Sequence, residues 1–332
     1  MKTSPPAADK AIPWALLKRV ATLALLAAVI VLLAMNAHKV DWGEVWQALG
    51  NYSPATLALA VSLTALSFWV YSCFDLLARS LTRAFMSAPA VMAVTFVSHA
   101  LGLTLGVAGV ALRFRLYGSH GVPAASVARI WGLSVLTNWL GFLLLGGLVF
   151  GGQLVDLPRS ALIEPSWGGQ AMVLAGHALL LAAFVYLVIC ALAGGRRVTL
   201  LRQEMRVPTA RFACGQFLMS CTNWLLIAAV MYVLLDGKVD YPTVLGAYLL
   251  SAIALSVVDV PGGLGITEGV FIAMLGHRLP MPELVAALVA YRAIFYLAPA
   301  IPGVLGYLAI EARQRREDAS APSPSGDRLG NI

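Results

Sequence analysis

Two acids and three glycines that interrupt an apolar run are the residues best suited to chemistry in this sequence. Residues 259–268 read DVPGGLGITE, with apolar sequence on both sides. The glycines are Gly262, Gly263 and Gly265. Pro261 removes a backbone donor and the glycines lower helix propensity, so a helix must end here and restart near residue 267. The N-terminus of the new helix could bind an anion, and two carboxylates, Asp259 and Glu268, bracket the break. A simpler interpretation is a glycine hinge for close helix packing.

Arginines within or beside apolar segments are the second chemical feature. Arg292 lies inside the last long apolar segment, where its charge needs an anion. The simplest partner is Glu268 or Asp259, which would make a structural ion pair. The functional alternative is that Arg292 binds a phosphate together with Arg113 or Arg115, because the planar guanidinium group suits that anion. The sequence keeps both interpretations open.

Other polar residues also fall within apolar segments. The tetrapeptide TNWL occurs twice and places Asn138 and Asn223 on two predicted helices at similar depth. Amides inside a membrane serve either as contacts for a polar substrate or as hydrogen bonds between helices. Asp75 stands four residues before Arg79, a spacing that predicts an ion pair along one helix. His99 is isolated and is interpreted as a hydrogen-bond donor between helices.

The sequence contains no recognisable catalytic or metal-binding constellation. It has no GxSxG nucleophile motif, no Walker-type phosphate loop and no HExxH zinc motif. The four cysteines lie in or beside apolar segments and form no CxxC pair. We therefore predict that the protein is not an enzyme and uses no metal and no cofactor.

Composition places the protein in a membrane. Of its 332 residues, 60% are hydrophobic and 12% are charged. Apolar segments of about 18 or more residues recur along the chain, each long enough to cross a bilayer. The net charge of +7 is carried by short loops and tails, where it sets orientation. This distribution excludes nucleic acid as a partner.

These patterns predict an all-α polytopic membrane protein with about six full spans and two glycine-broken re-entrant hairpins. A single transmembrane domain covers residues 14–310, between disordered tails at 1–13 and 311–332. The full spans are predicted near residues 14–35, 54–77, 130–150, 172–193, 212–235 and 284–310. The hairpins are predicted at about 89–118 and 243–276, where glycines and charges interrupt apolar sequence.

Arginine positions predict which side of the membrane each loop faces. The loop at 196–211 holds five arginines and the start of the C-terminal tail holds three more, so both are predicted to be cytoplasmic. Loops 151–170 and 236–241 have more acids than bases and are predicted to lie outside. Both tails are then cytoplasmic, and the two hairpins enter from opposite faces, each followed by one full span. This is the arrangement of an inverted repeat.

Three stretches together resemble the lysylphosphatidylglycerol synthase transmembrane family. They are PGGLGITE at 261–268, the stretch from Gly109 through RFRLY at 113–117, and Tyr291 followed by Arg292. Two further phrases, HKVDWGEVW at 38–46 and CFDLLAR at 73–79, resemble more closely the stand-alone YbhN-like inner-membrane branch of that family. The resemblance covers residues 18–310. It implies a bacterial cytoplasmic-membrane protein related to phospholipid translocases, with re-entrant helices around a headgroup cavity.

The residues and the resemblance together predict a lipid translocator, a flippase or scramblase-like transporter, for an anionic or polar phospholipid headgroup. Glu268 and Asp259 would gate entry or select headgroups. The alternative is a non-catalytic membrane subunit or regulator that partners a separate lipid-modifying enzyme, and a homo-oligomer is compatible with both. Full-length resistance factors of the family carry a soluble lysine-transferring domain; the chain ends at Ile332 without one, so no transferase activity is expected. The predicted substrate-binding residues are Gly262, Gly263, Gly265, Asp259, Glu268, Arg292, Arg113, Arg115, Asn138 and Asn223.

Overall fold

The chain folds into a bundle of long apolar helices. The computed structural model describes residues 41–82, 86–155, 165–200, 203–257 and 263–320. Within these ranges six helices are long and apolar enough to cross a membrane. They are Pro54–Ser80, Ala88–Leu105, Ala124–Gly151, Gly169–Ala193, Ala210–Leu234 and Met281–Arg313. The protein is therefore a multi-pass membrane protein.

The elements follow one another mostly through short connections. In chain order they are α1 (Trp42–Gly50), α2 (Pro54–Thr82), α3 (Ala88–Leu105), α4 (Val107–Ser119), α5 (Ala124–Gly151), α6 (Pro165–Ala193), β1 (Arg197–Leu200), β2 (Gln203–Arg206), α7 (Ala210–Leu234), α8 (Tyr241–Val257), α9 (Ile266–Leu275), α10 (Met281–Tyr291), a π-helical segment (Arg292–Leu297) and α11 (Ala298–Ser320).

Five of the six predicted full spans correspond to helices of the structure. These are α2, α5, α6, α7 and the continuous helix from α10 to α11. The remaining prediction, at residues 14–35, lies outside the described residues, as does the N-terminal tail. The other candidate span, α3, is the first arm of the predicted hairpin at 89–118. The last helix continues past residue 310 to Ser320.

A two-stranded antiparallel ribbon interrupts the helical pattern in the arginine-rich loop, where we predicted no strand. β1 and β2 pair Arg197 opposite Arg206 and Leu200 opposite Gln203. The ribbon connects α6 to α7 beyond the candidate spans, so water can hydrogen-bond its open edges, which hydrocarbon could not do. The all-α prediction therefore describes the spans but not this loop.

Three long helices, α2, α5 and α7, contact one another at the centre of the bundle. Small residues allow the close approach, because a Cβ on Gly141 of α5 would clash with Ser220 of α7. The Ser220 hydroxyl accepts a hydrogen bond from the Gly141 N–H at 3.1 Å. On the outside, α6 packs on α5 where Gly176 meets Gly151 at a similar close contact. This centre is the rigid frame on which the shorter helices rest.

The shorter helices form two hairpins with their neighbours. α3 and α4 pack on each other around Gly106, which has φ +61°, a conformation that suits glycine. A Cβ on Gly109 would clash with the backbone of Gly102. α8 and α9 also contact each other. α4 has 13 residues and α9 has 10, which give lengths of about 20 and 15 Å, shorter than a hydrocarbon core of about 30 Å.

The last long helix widens near its middle. The segment Arg292–Leu297 is π-helical, and the N–H of Ala298 donates to the carbonyl of Ala293, five residues earlier. Pro299 and Pro302 follow directly. Proline has no N–H and its ring crowds the carbonyl four residues before it, so the regular hydrogen-bond pattern cannot continue. Such π-helical turns recur at functional sites.

Candidate functional site

Glu268 and Arg292 form an ion pair between α9 and the π-helical segment. Arg292 Nε lies 2.6 Å from Glu268 Oε1, and Nη2 lies 3.0 Å from Oε2. Nη2 also donates to the carbonyl oxygen of Gly263 at 2.9 Å. Two parallel bonds between a guanidinium and a carboxylate are the strong form of this interaction. The structure thus confirms Glu268, one of the two predicted partners, as a contact of Arg292.

The glycine turn before α9 positions the Glu268 carboxylate. Gly263 and Gly265 have φ values of +58° and +83°, which suit glycine and strain other residues. The N–H of Gly265 donates to Glu268 Oε2 at 2.9 Å, so the carboxylate caps the first turn of its own helix. Three of the predicted residues therefore share one turn. Asp259 and Gly262, assigned to the same site from sequence, lie outside the described residues.

The Glu268–Arg292 pair lies among apolar helices and remains partly accessible. The side chains of Arg292 and Glu268 are 16% and 20% exposed. Arg292 is about 17 Å along the helix from Met281, where its candidate span begins. The ring of Tyr296 covers the guanidinium at 4.5 Å from the ring centroid, a cation–π contact. A ligand can reach this pair in surroundings where water screens charge weakly.

A second charge cluster surrounds Asp75, which is fully buried. Asp75 Oδ2 accepts hydrogen bonds from Thr95 at 2.9 Å and from Tyr117 at 2.8 Å. Ser134 donates to Oδ1 at 2.5 Å. Arg113 Nη2 lies 3.4 Å from Oδ2, and its side chain is 4% exposed. Four elements, α2 to α5, therefore meet at one carboxylate.

This cluster was not predicted, because the spacing of Asp75 and Arg79 indicated an ion pair along one helix. In the structure Asp75 points inward, and its partners come from other helices, with Arg113 supplying the charge. The sequence feature that could have predicted the cluster is the apolar segment around Asp75, because a carboxylate in such a segment needs buried partners. Which segments supply them depends on the packing.

Arg115 lies in different surroundings from Arg113, although only one residue separates them. The Arg115 side chain is 59% exposed and donates to Glu311 Oε2 at 2.8 Å. It also lies over the ring of Tyr307, 5.6 Å from the centroid. Residues two apart on a helix do not share a face. The structure therefore places Arg113 inside the bundle and Arg115 against α11, and each differs from the surroundings of Arg292.

The two predicted asparagines make contacts between the central helices. Asn223 is 2% exposed, and its Oδ1 accepts a hydrogen bond from Ser67 at 2.8 Å, which joins α7 to α2. The backbone carbonyl of Asn138 accepts from Ser220 at 2.9 Å and from Trp224 Nε1 at 3.0 Å. For the Asn223 amide this contact favours hydrogen bonding between helices, whereas Asn138 makes its contacts through the backbone.

Within the described ranges, no group of three or more His, Cys, Asp and Glu side chains is arranged to hold a metal ion. The four cysteines are free thiols. The ionisable groups that the fold concentrates among its apolar helices are instead two arginine–carboxylate clusters, at Asp75 and at Glu268. The guanidinium, carboxylate and backbone N–H groups of these clusters can bind charged groups of a ligand.

Fold and site together define a multi-pass helical membrane protein whose short helices carry ion pairs into apolar surroundings. Residues 19–303 match the family described as the lysylphosphatidylglycerol synthase TM region. The chain belongs to this family. The resemblance noted in the sequence is thereby confirmed over most of the chain.

Individual relatives cover the chain to different extents. Inner membrane protein YbhN of Escherichia coli (strain K12) is 38% identical over 306 residues, which are 91% of this chain and 95% of that protein. Uncharacterized protein slr0712 of Synechocystis sp. is 29% identical over 323 residues, 94% of this chain and 98% of that protein. The phosphatidylglycerol lysyltransferase of Staphylococcus haemolyticus is 31% identical over 90 residues, 25% of this chain and 10% of that protein.

Proposed function

We propose that this protein moves a phospholipid with an anionic or polar headgroup between the leaflets of a bacterial cytoplasmic membrane, as a flippase or a scramblase. The observation that carries the proposal is the Glu268–Arg292 pair, held at the first turn of α9 among apolar helices and still 16–20% exposed. Ionisable residues within membrane segments characteristically mark substrate pathways. The chain belongs to a family that is named after the membrane region of a lipid synthase, and this supports a lipid as the substrate.

Glu268 occupies the position in which a lipid phosphate would bind. Its oxygens contact the Arg292 guanidinium and the N–H of Gly265. A phosphate has the same requirements, a guanidinium fork and a free backbone N–H at a helix N-terminus. The headgroup would compete with Glu268 for Arg292 on entry, and the ion pair would re-form on release. A headgroup amine or a proton would neutralise the displaced carboxylate, which gives the site a way to select headgroups.

We infer that α3–α4 and α8–α9 are re-entrant hairpins of an inverted repeat. The second arm of each hairpin is too short to cross a hydrocarbon core, and each hairpin is followed by a full span, α5 or α10–α11. The arginine distribution places both tails in the cytoplasm and makes the hairpins enter from opposite faces. Transporters with this architecture bind substrate where such broken helices meet.

A second candidate function is that of a non-catalytic membrane subunit or regulator beside a separate lipid-modifying enzyme. The observation that favours it is the match of 90 residues to a phosphatidylglycerol lysyltransferase, of which this chain covers 10%. In that case the partner would supply catalysis. The purified protein alone would then translocate no lipid.

Reconstitution into vesicles tests the translocator proposal. Fluorescent phosphatidylglycerol, phosphatidylethanolamine and phosphatidylcholine would be placed in proteoliposomes, and headgroup accessibility would be followed with and without an ion gradient. We expect wild type to move at least one lipid faster than empty vesicles. Arg292→Ala should slow it about tenfold or more, because loss of one charge-assisted hydrogen bond to the phosphate, about 1.5–3 kcal/mol, is enough for that factor. Glu268→Gln should also slow it, because the carboxylate that displaces the phosphate from Arg292 on release is lost.

Glu283→Gln is the matched control. Glu283 pairs with Lys238 at 2.6 Å at the start of α10, and both side chains are more than two-fifths exposed. The substitution removes the same charge from an exposed pair, so translocation should continue at the wild-type rate. Equal rates in wild-type and empty vesicles for every lipid would contradict translocation and favour the subunit role. Equal losses in Glu283→Gln and Glu268→Gln would contradict the site.

A further inference from the structure

A cavity of about 210 Å³ lies beside the α3–α4 hairpin and is lined by neither Glu268 nor Arg292. A single buried water needs only about 10–15 Å³ on this measure, so the cavity has room for a polyatomic group. Its polar and aromatic walls come from α2, α3, α4 and α5, and they consist of Tyr71, Ser98, His99, Arg113 and Trp131. Three glycines of the hairpin, Gly102, Gly106 and Gly109, also line it.

Two buried polar atoms of the lining residues have no hydrogen-bond partner among the residues that the structure describes. They are Arg113 Nε and Ser98 Oγ, and both residues are 4% exposed. Folded proteins rarely leave such groups unpaired, since each costs about 1–3 kcal/mol. Arg113 Nε can only donate, so it requires an acceptor. A ligand oxygen between them would satisfy both groups.

Asp75 pairs with Arg113 but does not use its Nε–H. Three hydroxyl groups already donate to the Asp75 carboxylate. Arg113 Nη2 stands 3.4 Å from Asp75 Oδ2, which is longer than the roughly 2.7–2.9 Å of a tight charge-assisted bond. By contrast, Arg292 approaches Glu268 to 2.6 Å. The Arg113 guanidinium therefore keeps one free donor, its Nε–H, at the cavity.

The start of α4 adds positive potential at the same place. Its N-cap residue, Gly106, lines the cavity and provides no side-chain cap. The first N–H groups of a helix have no acceptor within it, and they form the positive end of the helix dipole. On the opposing wall, His99 stacks on Tyr71 with ring centroids 3.5 Å apart. These rings give the cavity an aromatic wall near Arg113.

We propose that this cavity binds a phosphate oxyanion, with the Arg113 Nε–H, the Ser98 hydroxyl and the first turn of α4 as donors. The phosphate comes either from a lipid headgroup or from free inorganic phosphate. The site goes beyond the proposed translocation site because it uses a different hairpin and a different arginine. It can therefore be tested without a transport assay.

Calorimetric titration of the purified protein in a maltoside detergent, which contains no phosphate, tests the proposal. The probes are inorganic phosphate and dihexanoylphosphatidylglycerol, with dihexanoylglycerol as the phosphate-free comparison. We expect saturable binding of at least one phosphate probe and none of dihexanoylglycerol. Ser98→Ala should raise the dissociation constant about tenfold, because one hydrogen bond to a charged group is lost. Arg113→Lys, which keeps the charge near Asp75 but removes the Nε donor, should raise it at least as much.

Ser72→Ala is the matched control, because Ser72 is 3% exposed in α2 and its hydroxyl already donates to the Phe68 carbonyl at 2.8 Å. This variant should bind both phosphate probes as wild type does. Binding of inorganic phosphate assigns the site to free phosphate, and binding of the lipid probe alone assigns it to a headgroup. Absence of binding by both probes, or equal weakening in Ser98→Ala and Ser72→Ala, overturns the proposal. Should Arg113→Lys fail to fold, Ser98→Ala decides the question by itself.

Discussion

At the scale of single residues, Asp75 and Glu268 are carboxylates held among apolar helices in two different ways. Asp75 is fully buried and receives three hydroxyl donors besides Arg113. Glu268 is 20% exposed and shares Arg292 with a glycine turn. The Asp75 carboxylate is already supplied with donors by its own helices, whereas the Glu268 carboxylate remains partly exposed. We therefore expect substitution of Asp75 to act on folding and substitution of Glu268 to act on translocation.

Replacing Asp75 with Asn should lower the free energy of unfolding by about 3–5 kcal/mol, because it leaves the buried guanidinium of Arg113 without its counter-ion. Thermal unfolding of the purified protein in detergent measures the change. The control is Glu283→Gln, in the exposed pair with Lys238. This substitution should lower the free energy of unfolding by less than about 1 kcal/mol. Equal shifts in the two variants would show that the Asp75 cluster contributes nothing special to stability.

At the scale of elements, the glycines of α4 differ in what they do. Gly109 lies against the backbone of Gly102, where a Cβ has no room, and Gly118 faces open space near the end of the same helix. Close glycine contacts are how helices approach each other within a membrane. The α3–α4 hairpin should therefore depend on one glycine of α4 and tolerate change at the other.

Gly109→Ala should destabilise the protein by about 1–3 kcal/mol, because the added methyl group forces the two arms of the hairpin apart. Gly118→Ala is the control within the same helix and should be neutral or slightly stabilising, since alanine favours helix. The measurement is the unfolding midpoint of both variants in one detergent. A hairpin that tolerates both substitutions equally would not be held by this contact.

The start of α8 depends on Asp240, which lies outside the candidate spans. The N–H of Thr243 donates to Asp240 Oδ2 at 3.0 Å, and Arg278 Nη1 lies 3.2 Å from Oδ1. Partial burial alone would raise the pKa of Asp240, but the hydrogen bonds from Thr243 and the charge of Arg278 outweigh it, so the pKa lies below its usual value. The ionised form is therefore the one that stabilises the folded protein.

Asp240→Ala should lower the free energy of unfolding by about 1 kcal/mol at pH 7, the usual effect of losing an N-terminal cap. Because the folded-state pKa is lowered, this stabilisation is fully present above the unfolded-state pKa of about 3.9 and is lost as the pH falls through the folded-state pKa. The difference in stability between wild type and variant should thus shrink below about pH 4. Denaturation at a series of pH values measures it, and a constant difference from pH 7 to pH 3 would disprove the role of the charge.

At the scale of the whole molecule, the proposed orientation follows from the loops that join the helices. The ribbon between α6 and α7 carries Arg197 and Arg206, and the turn between α7 and α8 carries Asp236 and Asp240. Arginine-rich loops stay in the cytoplasm. Because α7 is a candidate span between these two loops, they should lie on opposite sides of the membrane.

Single cysteines introduced into a cysteine-free variant test this orientation. A membrane-impermeant maleimide added to intact, outer-membrane-permeabilised cells should label Lys238→Cys and spare Arg197→Cys, because the proposed orientation puts the first outside and the second in the cytoplasm. Lysed cells should label both. The reverse pattern would invert the proposed topology, and labelling of both sites in intact cells would show that α7 does not separate them.

The sequence by itself determined the membrane class, five of the spans, the family, and the need of Arg292 for an anion, with Glu268 or Asp259 as the candidate partner. The physical reason is that these features depend on local sequence or are imposed by the hydrocarbon core of the membrane. Hydrocarbon obliges the chain to form long apolar helices, and it obliges an arginine within one of them to find an anion. A glycine-rich break followed by an acid supplies that anion close by in the chain.

Only the tertiary structure decided where the other polar groups find their partners. Asp75 meets Arg113 rather than its helical neighbour, Arg115 turns away to α11, and Asn223 joins two helices. The widened turn at Arg292 likewise depends on how the helix accommodates its prolines. These contacts join segments far apart in the chain, so they depend on the rotation and depth at which helices pack. Apolar sequence leaves rotation and depth open, because any face of such a helix can be buried.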